Sequence, residues 1–170
     1  MQNWSLPTLN NPNLLEVNTA VFLGRLREEY GEEITLGTIP QEVWKSLARR
    51  GFDLLWCMGV WERSLGSKTS ALLEDGLIKD YETALPNWTE EDVIGSPYAV
   101  YSYRLDPRFG NKDDLKKLKE NLNREGIRLI LDFVPNHLAL DHPWTLSNPE
   151  HFIQAKPGET SSRILNWSSA

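Results

Sequence analysis

Two stretches of this chain are built alike: a helix-forming segment ends at a glycine, and a nearly unbroken apolar run starts at once. In the first, Thr38 is a candidate N-cap with Gln41 three residues on, and Pro40 suits the first turn. Val43, Trp44 and Leu47 fall on one helix face, Gly51 stops the helix, and Phe52 to Trp61 reads as a strand. In the second, Asn111 caps a helix whose first turn holds Asp113 and Asp114, where the helix dipole favours negative charge. Leu115, Leu118 and Leu122 share a face, Gly126 ends the helix, and Ile127 to Val134 reads as a strand. Strands apolar at almost every position, rather than every second one, are covered on both faces. That is the pattern of a parallel sheet with helices outside it. With an earlier strand around Leu15 to Val21, the order is strand, helix, strand, insertion, helix, strand, an α/β arrangement.

The two units stand too far apart for a bare repeat, so Trp61 to Arg108 must hold a large insertion, with a helix expected near Ser70 to Ala84. Pro86, Gly95, Pro97 and Pro107 mark loop. A long connection after a strand is where function tends to sit in such folds.

The second strand runs into Asp132-Phe133-Val134-Pro135-Asn136-His137. Alternation puts Ile130, Asp132 and Val134 on one face. A carboxylate inside an apolar strand is costly without partners. Pro135 cannot donate a ladder bond, so Asn136 and His137 fall just past the strand's C-terminal end, the ligand-binding side of parallel α/β folds. From the residues alone, Asp132 and His137 could equally pair with or cap this turn. A metal site from His137, Asp141 and His142 fits no standard zinc spacing.

Composition narrows the field. A net charge of −6 with no basic stripe argues against nucleic acid as a partner. No apolar stretch approaches the roughly 20 residues of a membrane helix. Residues 1–13 carry no basic n-region followed by an apolar core, so a cytoplasmic location is expected. Cys57 lies in an apolar run and reads as a small buried hydrophobe rather than a reactive thiol. Seven tryptophans fit an aromatic core, or stacking on flat sugar faces. No glycine-rich phosphate loop follows a strand, which speaks against nucleotide binding.

The hexapeptide Asp132 to His137 at a strand end resembles the first signature region of the α-amylase family of glycoside hydrolases, whose pattern is Asp, any, Val, any, Asn, His after the third barrel strand. The flanks agree. Leu115 to Ile130 resembles the family's second barrel helix running into that strand. Ser96-Pro97-Tyr98-Ala99-Val100-Tyr101-Ser102-Tyr103 looks like the segment bearing the tyrosine that stacks on the sugar of the −1 subsite, in the style of amylosucrase and oligo-1,6-glucosidase. Asp106 to Gly110 resembles the turn into the helix, and Asp141-His142-Pro143-Trp144 the segment after the signature histidine.

The resemblance implies the N-terminal portion of a TIM (β/α)8 barrel, about three strands of it, over residues 1–152. The irregular tail 153–170 matches nothing in the family, as a truncated or frameshifted product would show. It implies glycoside hydrolysis or transglycosylation at α-glucosidic bonds, on an α-glucan, an oligosaccharide or a sucrose-type substrate, with no cofactor. His137 would hydrogen-bond a sugar hydroxyl, Tyr98 would be the stacking platform, and Asp132 would support the geometry. Trp61 is a further candidate for sugar contact, or core. Asn136 matches a calcium position of some members, but nothing nearby adds the oxygens calcium takes, so no metal is expected. In that family the aspartate nucleophile follows the fourth strand and the glutamate acid/base the fifth. No catalytic residue is therefore assigned in this chain, and the fragment alone is expected to be inactive. A carbohydrate-binding remnant without turnover is the alternative. A full barrel takes about 250 residues, so another chain completing it is a further partner to consider.

Overall fold

A computed structural model describes residues 9–153 and divides them into two compact units. The first comprises the residues up to Val60 together with Leu105–Asp132. It contains β1 (Leu14–Asn18), α1 (Thr19–Tyr30), α2 (Gln41–Arg49) and β2 (Leu54–Met58), and ends with its later α5 (Lys112–Arg124) and β5 (Arg128–Leu131). The second, Trp61–Arg104 and the residues from Phe133 on, contains β3 (Trp61–Arg63), α3 (Leu65–Leu73), α4 (Asp75–Ala84) and most of β4 (Val100–Leu105). The irregular tail, from residue 154 on, lies outside the described residues.

In the first unit β1, β2 and β5 form a parallel sheet in that order, with Leu55 facing Leu15 on one side and Leu129 on the other. Parallel neighbours need a crossover, and the helices supply it. The expected cover on both faces holds for one face only. Along β2, Leu55 and Cys57 are fully buried while Leu54, Trp56 and Met58 are half-buried, and all four residues of β5 are half-buried. Three strands cannot curl far enough for their other face to meet an opposite wall.

The capped helix before β5 forms as its residues predict. Asn111 accepts from the Asp113 and Asp114 amides, and the Asp114 carboxylate accepts from the Asn111 N–H at 2.9 Å, closing a capping box. Leu118 and Leu122 are buried. Gly37 lies so close that a Cβ there would sit 2.5 Å from the Asp114 Cα, so the turn before α2 admits no side chain at that point. Before β2 the outcome differs in one respect. Thr38 does not cap α2. Its hydroxyl accepts from the Thr35 N–H at 2.9 Å, and Pro40 starts the helix without a side-chain cap. Trp44 and Leu47 are buried as the apolar face requires, and Gly51 (φ +83°) ends the segment in the left-handed region.

The expected strand Leu15 to Val21 is cut short. Asn18 turns the chain by accepting from the Ala20 and Val21 amides, and α1 starts at Thr19. The buried Thr19 hydroxyl donates to the Met58 carbonyl at 2.8 Å, tying the start of α1 to the end of β2. The second strand ends at Met58, before the left-handed Gly59 (φ +74°), and Trp61 begins a separate two-stranded sheet of β3 and β4. The insertion is therefore an organised unit whose expected helix is two consecutive ones.

Cys57 is fully buried, and burial first, with the neighbouring Asp132 charge second, pushes its thiol up to about 12. The native chain is expected to show no reactive thiol toward Ellman's reagent at pH 8, and one after unfolding in urea. Prompt labelling of the folded chain would contradict the packing of β2. Among the described residues no helix is long and apolar enough to cross a membrane.

Candidate functional site

Asp132 follows the last residue of β5, so the strand ends earlier than alternation alone suggested. Its carboxylate takes over where the ladder stops. Oδ1 accepts from the Trp56 indole N–H at 2.8 Å and Oδ2 from the Gly59 N–H at 2.5 Å. Both bonds reach back to the middle strand, and the group is nearly buried. A carboxylate with both oxygens engaged by donors of its own unit is a structural clamp on the strand ends. It does not line the cavity that holds the other two candidates.

Those two come together in the second unit, where Tyr98 and His137 line one cavity of about 310 Å³. Its polar wall is made of Ser64, Ser67, Ser70 and Ser96, and its apolar wall includes Leu138 and Leu140. The first turn of α3 organises it. Ser64 caps the helix by accepting from the Ser67 N–H at 2.9 Å, and its own N–H donates to the Ala99 carbonyl at 2.9 Å. Ser67 Oγ accepts from the Ser96 N–H at 2.8 Å, and Ser96 Oγ from the Tyr98 N–H at 3.3 Å. The approach depends on Gly95, which has φ +83° and where a Cβ would lie 3.1 Å from the Lys68 nitrogen. The Arg63 guanidinium donates to the Gly95 carbonyl at 2.8 Å. The Tyr98 turn is thereby laid against the start of α3.

The His137 segment reaches the same turn from the far end of the unit. Asp141 accepts from the Gly66 N–H at 3.0 Å and from Ser64. Burial pushes the Asp141 carboxyl up. The bonds from Ser64 and the Gly66 amide, with the nearby His142, outweigh it and hold the group below its usual value. A carboxyl lowered in the folded state contributes stability above the ordinary carboxylate range and loses it as pH falls through the lowered value. His137 is exposed, with Asn136 Nδ2 3.4 Å from its Nδ1. Among the described residues no three His, Cys, Asp or Glu side chains gather in a way that could hold a metal ion, the set His137, Asp141 and His142 included.

Ser64, Ser67 and the capping role of Asp141 escaped the sequence reading. Ser64 does stand at cap spacing from Ser67 in the first turn of α3, but the bonds to Asp141 span 75 residues or more and leave no local trace. Trp61 lies edge-on to Tyr103 at 5.5 Å between ring centroids and is half-buried, so it serves packing in its own unit.

Residues 94–161, which include Tyr98, Asp132 and His137, match the family model of the α-amylase catalytic domain. That segment is similar to part of an α-amylase catalytic domain. The chain is 51% identical over 65 residues to Alpha-amylase 2 of Dictyoglomus thermophilum, across 38% of this chain and 10% of that protein. It is 32% identical over 81 residues to an oligo-1,6-glucosidase of Parageobacillus thermoglucosidasius, across 42% of this chain and 14% of that protein. The fold is similar to the crystal structure of an α-amylase from Lactobacillus plantarum, with a TM-score of 0.59 and 20% identity over 94% of this chain and 31% of that one. The matched stretches thus span a small part of the curated relatives, and the fold is a portion of the α-amylase (β/α)8 barrel.

Proposed function

We propose that this chain forms the sugar-binding side of an α-amylase-type glycoside hydrolase or transglycosylase acting on α-glucosidic bonds in oligosaccharides or α-glucans. The observation that carries the reading is that Tyr98 and His137, far apart in the chain, line the same cavity. At about 310 Å³ it lies at the small end of the roughly 300–1,000 Å³ usual for ligand clefts. A phenol ring offers a flat face to the apolar side of a pyranose, and an imidazole and several serine hydroxyls offer hydrogen bonds to its rim.

One carboxylate, Asp141, lines the cavity, and it is engaged by Gly66 and Ser64. A retaining double displacement takes two carboxyl groups about 5–5.5 Å apart. The reading therefore assigns binding to these residues and the bond-breaking groups to sequence outside them. A carbohydrate-binding chain without turnover shares the cavity and differs only in lacking those groups.

Calorimetric titration with maltotriose tests the reading. Tyr98→Ala is expected to weaken binding by about tenfold, the equivalent of one good stacking contact, while Tyr98→Phe keeps most of it. His137→Ala is expected to cost a similar factor through a lost hydrogen bond. Affinities that stay at the wild-type value in both alanine variants would remove the cavity from the account.

A further inference from the structure

His137 stands near the middle of a bridge that is tied down at both ends. At the start, the Tyr103 hydroxyl accepts from the Val134 N–H at 2.8 Å and donates to the Val134 carbonyl at 3.2 Å. The Tyr103 ring is itself held, edge-on to Trp61 and tilted against Phe133 with centroids 6.1 Å apart. At the finish, Asp141 accepts from the Gly66 N–H and from Ser64. Between the two ties, Pro135, Asn136 and His137 are exposed, whereas Ala139 beyond them is buried and its N–H donates to the Val100 carbonyl over a long 3.4 Å.

The far tie has a second property. The turn of α3 that Asp141 caps also holds the Tyr98 segment, through Ser67 to the Ser96 N–H and through the Ser64 N–H to the Ala99 carbonyl. One helical turn thus connects the stacking ring with the segment that carries the imidazole. We propose that Tyr103 and Asp141 are positioning residues: together they fix the His137 imidazole relative to the Tyr98 ring, Asp141 by way of the first turn of α3. The inference deepens the sugar-binding reading and rests on it for its purpose, though not for its geometry. Ordering a loop before the ligand arrives removes an entropic cost from binding, so the two residues act on affinity through the order of the His137 segment.

The test uses the 170-residue chain with Asp141→Ala, Asp141→Asn and Tyr103→Phe, the last leaving the ring between Trp61 and Phe133. Amide hydrogen exchange at Gly66 and Val134, the line width of the His137 ring signals and maltotriose affinity are read in each. Asp141→Ala is expected to speed Gly66 exchange about tenfold, to broaden the His137 signals and to weaken maltotriose binding by a similar factor. Asp141→Asn is expected to restore most of all three, because its amide oxygen accepts the same bond. Tyr103→Phe is expected to speed exchange at Val134 and not at Gly66, and again to broaden His137. His137 signals as sharp as wild type in both Asp141→Ala and Tyr103→Phe would overturn the proposal, even with faster exchange at the tied amides, since the ties would then be merely local. Should Asp141→Ala fail to fold, Tyr103→Phe decides the matter through the same signals. A wild-type chain that ignores maltotriose would sink the sugar reading alone, because the His137 signals judge the positioning without it.

Discussion

The 170-residue chain by itself is expected to turn over neither maltose, maltotriose, starch nor sucrose. Glycosidic bonds are cleaved by a nucleophile and an acid/base working as a unit, and the loss of either removes many orders of magnitude of rate. The cavity that holds Tyr98 and His137 presents a single carboxylate, Asp141. That group already accepts hydrogen bonds from an amide and a serine and is held below its usual value, which suits an acceptor and not a general acid. Asp132 is excluded on different grounds, since the Trp56 indole and the Gly59 amide occupy both its oxygens. Reducing-sugar release compared with a buffer blank checks the expectation. Turnover well above the blank that disappears on Asp132→Asn or Asp141→Asn would show that a catalytic carboxylate lies within this chain.

The second large effect concerns the fold. Asp132→Ala is expected to destabilise the first unit by about 2–4 kcal/mol, because hydrogen bonds to a charged group contribute about 1.5–3 kcal/mol each and the donors left behind lose a partner. The Gly59 N–H is buried and would lose this bond, whereas the half-buried Trp56 indole can find water. Trp56→Phe, which removes one of the two bonds, is therefore expected to cost less, about 1 kcal/mol. Urea unfolding followed at several probes measures both, since two units need not melt together. An Asp132→Ala chain within about 0.5 kcal/mol of wild type would mean that the carboxylate does not clamp β2 to the end of β5.

The parts of the fold that rest on local pattern were legible in the sequence. The Asn111–Asp114 box, the face of Leu118 and Leu122, the stop at Gly51 and the apolar runs of β2 and β5 all follow from spacing and residue type. What escaped was decided at longer range. α1 was hidden because Val21, Phe22 and Leu23 continue the apolar run of β1, and only the Asn18 cap separates the two. β5 was read too long because an aspartate in strand register gives no sign that its carboxylate will bond the neighbouring strand instead of continuing the ladder. In the second unit the pattern gives a single helix near Ser70 to Ala84, because α3 and α4 bury no residue of their own fully, and the unit's order comes from side chains such as Ser64, Tyr103 and Asp141 reaching distant backbone. The choice of Tyr98 and His137 came from family likeness, and no local periodicity would have paired them.

The central claim, that Tyr98 and His137 form one sugar site, is tested most directly by mapping amide and ring chemical shifts of the chain during titration with maltotriose. The account predicts saturable shifts confined to the Ser96–Ala99 turn, the first turn of α3 and the residues around His137, and their loss in Tyr98→Ala. Shifts that gather elsewhere on the chain, or none at concentrations that saturate an α-amylase, would contradict it.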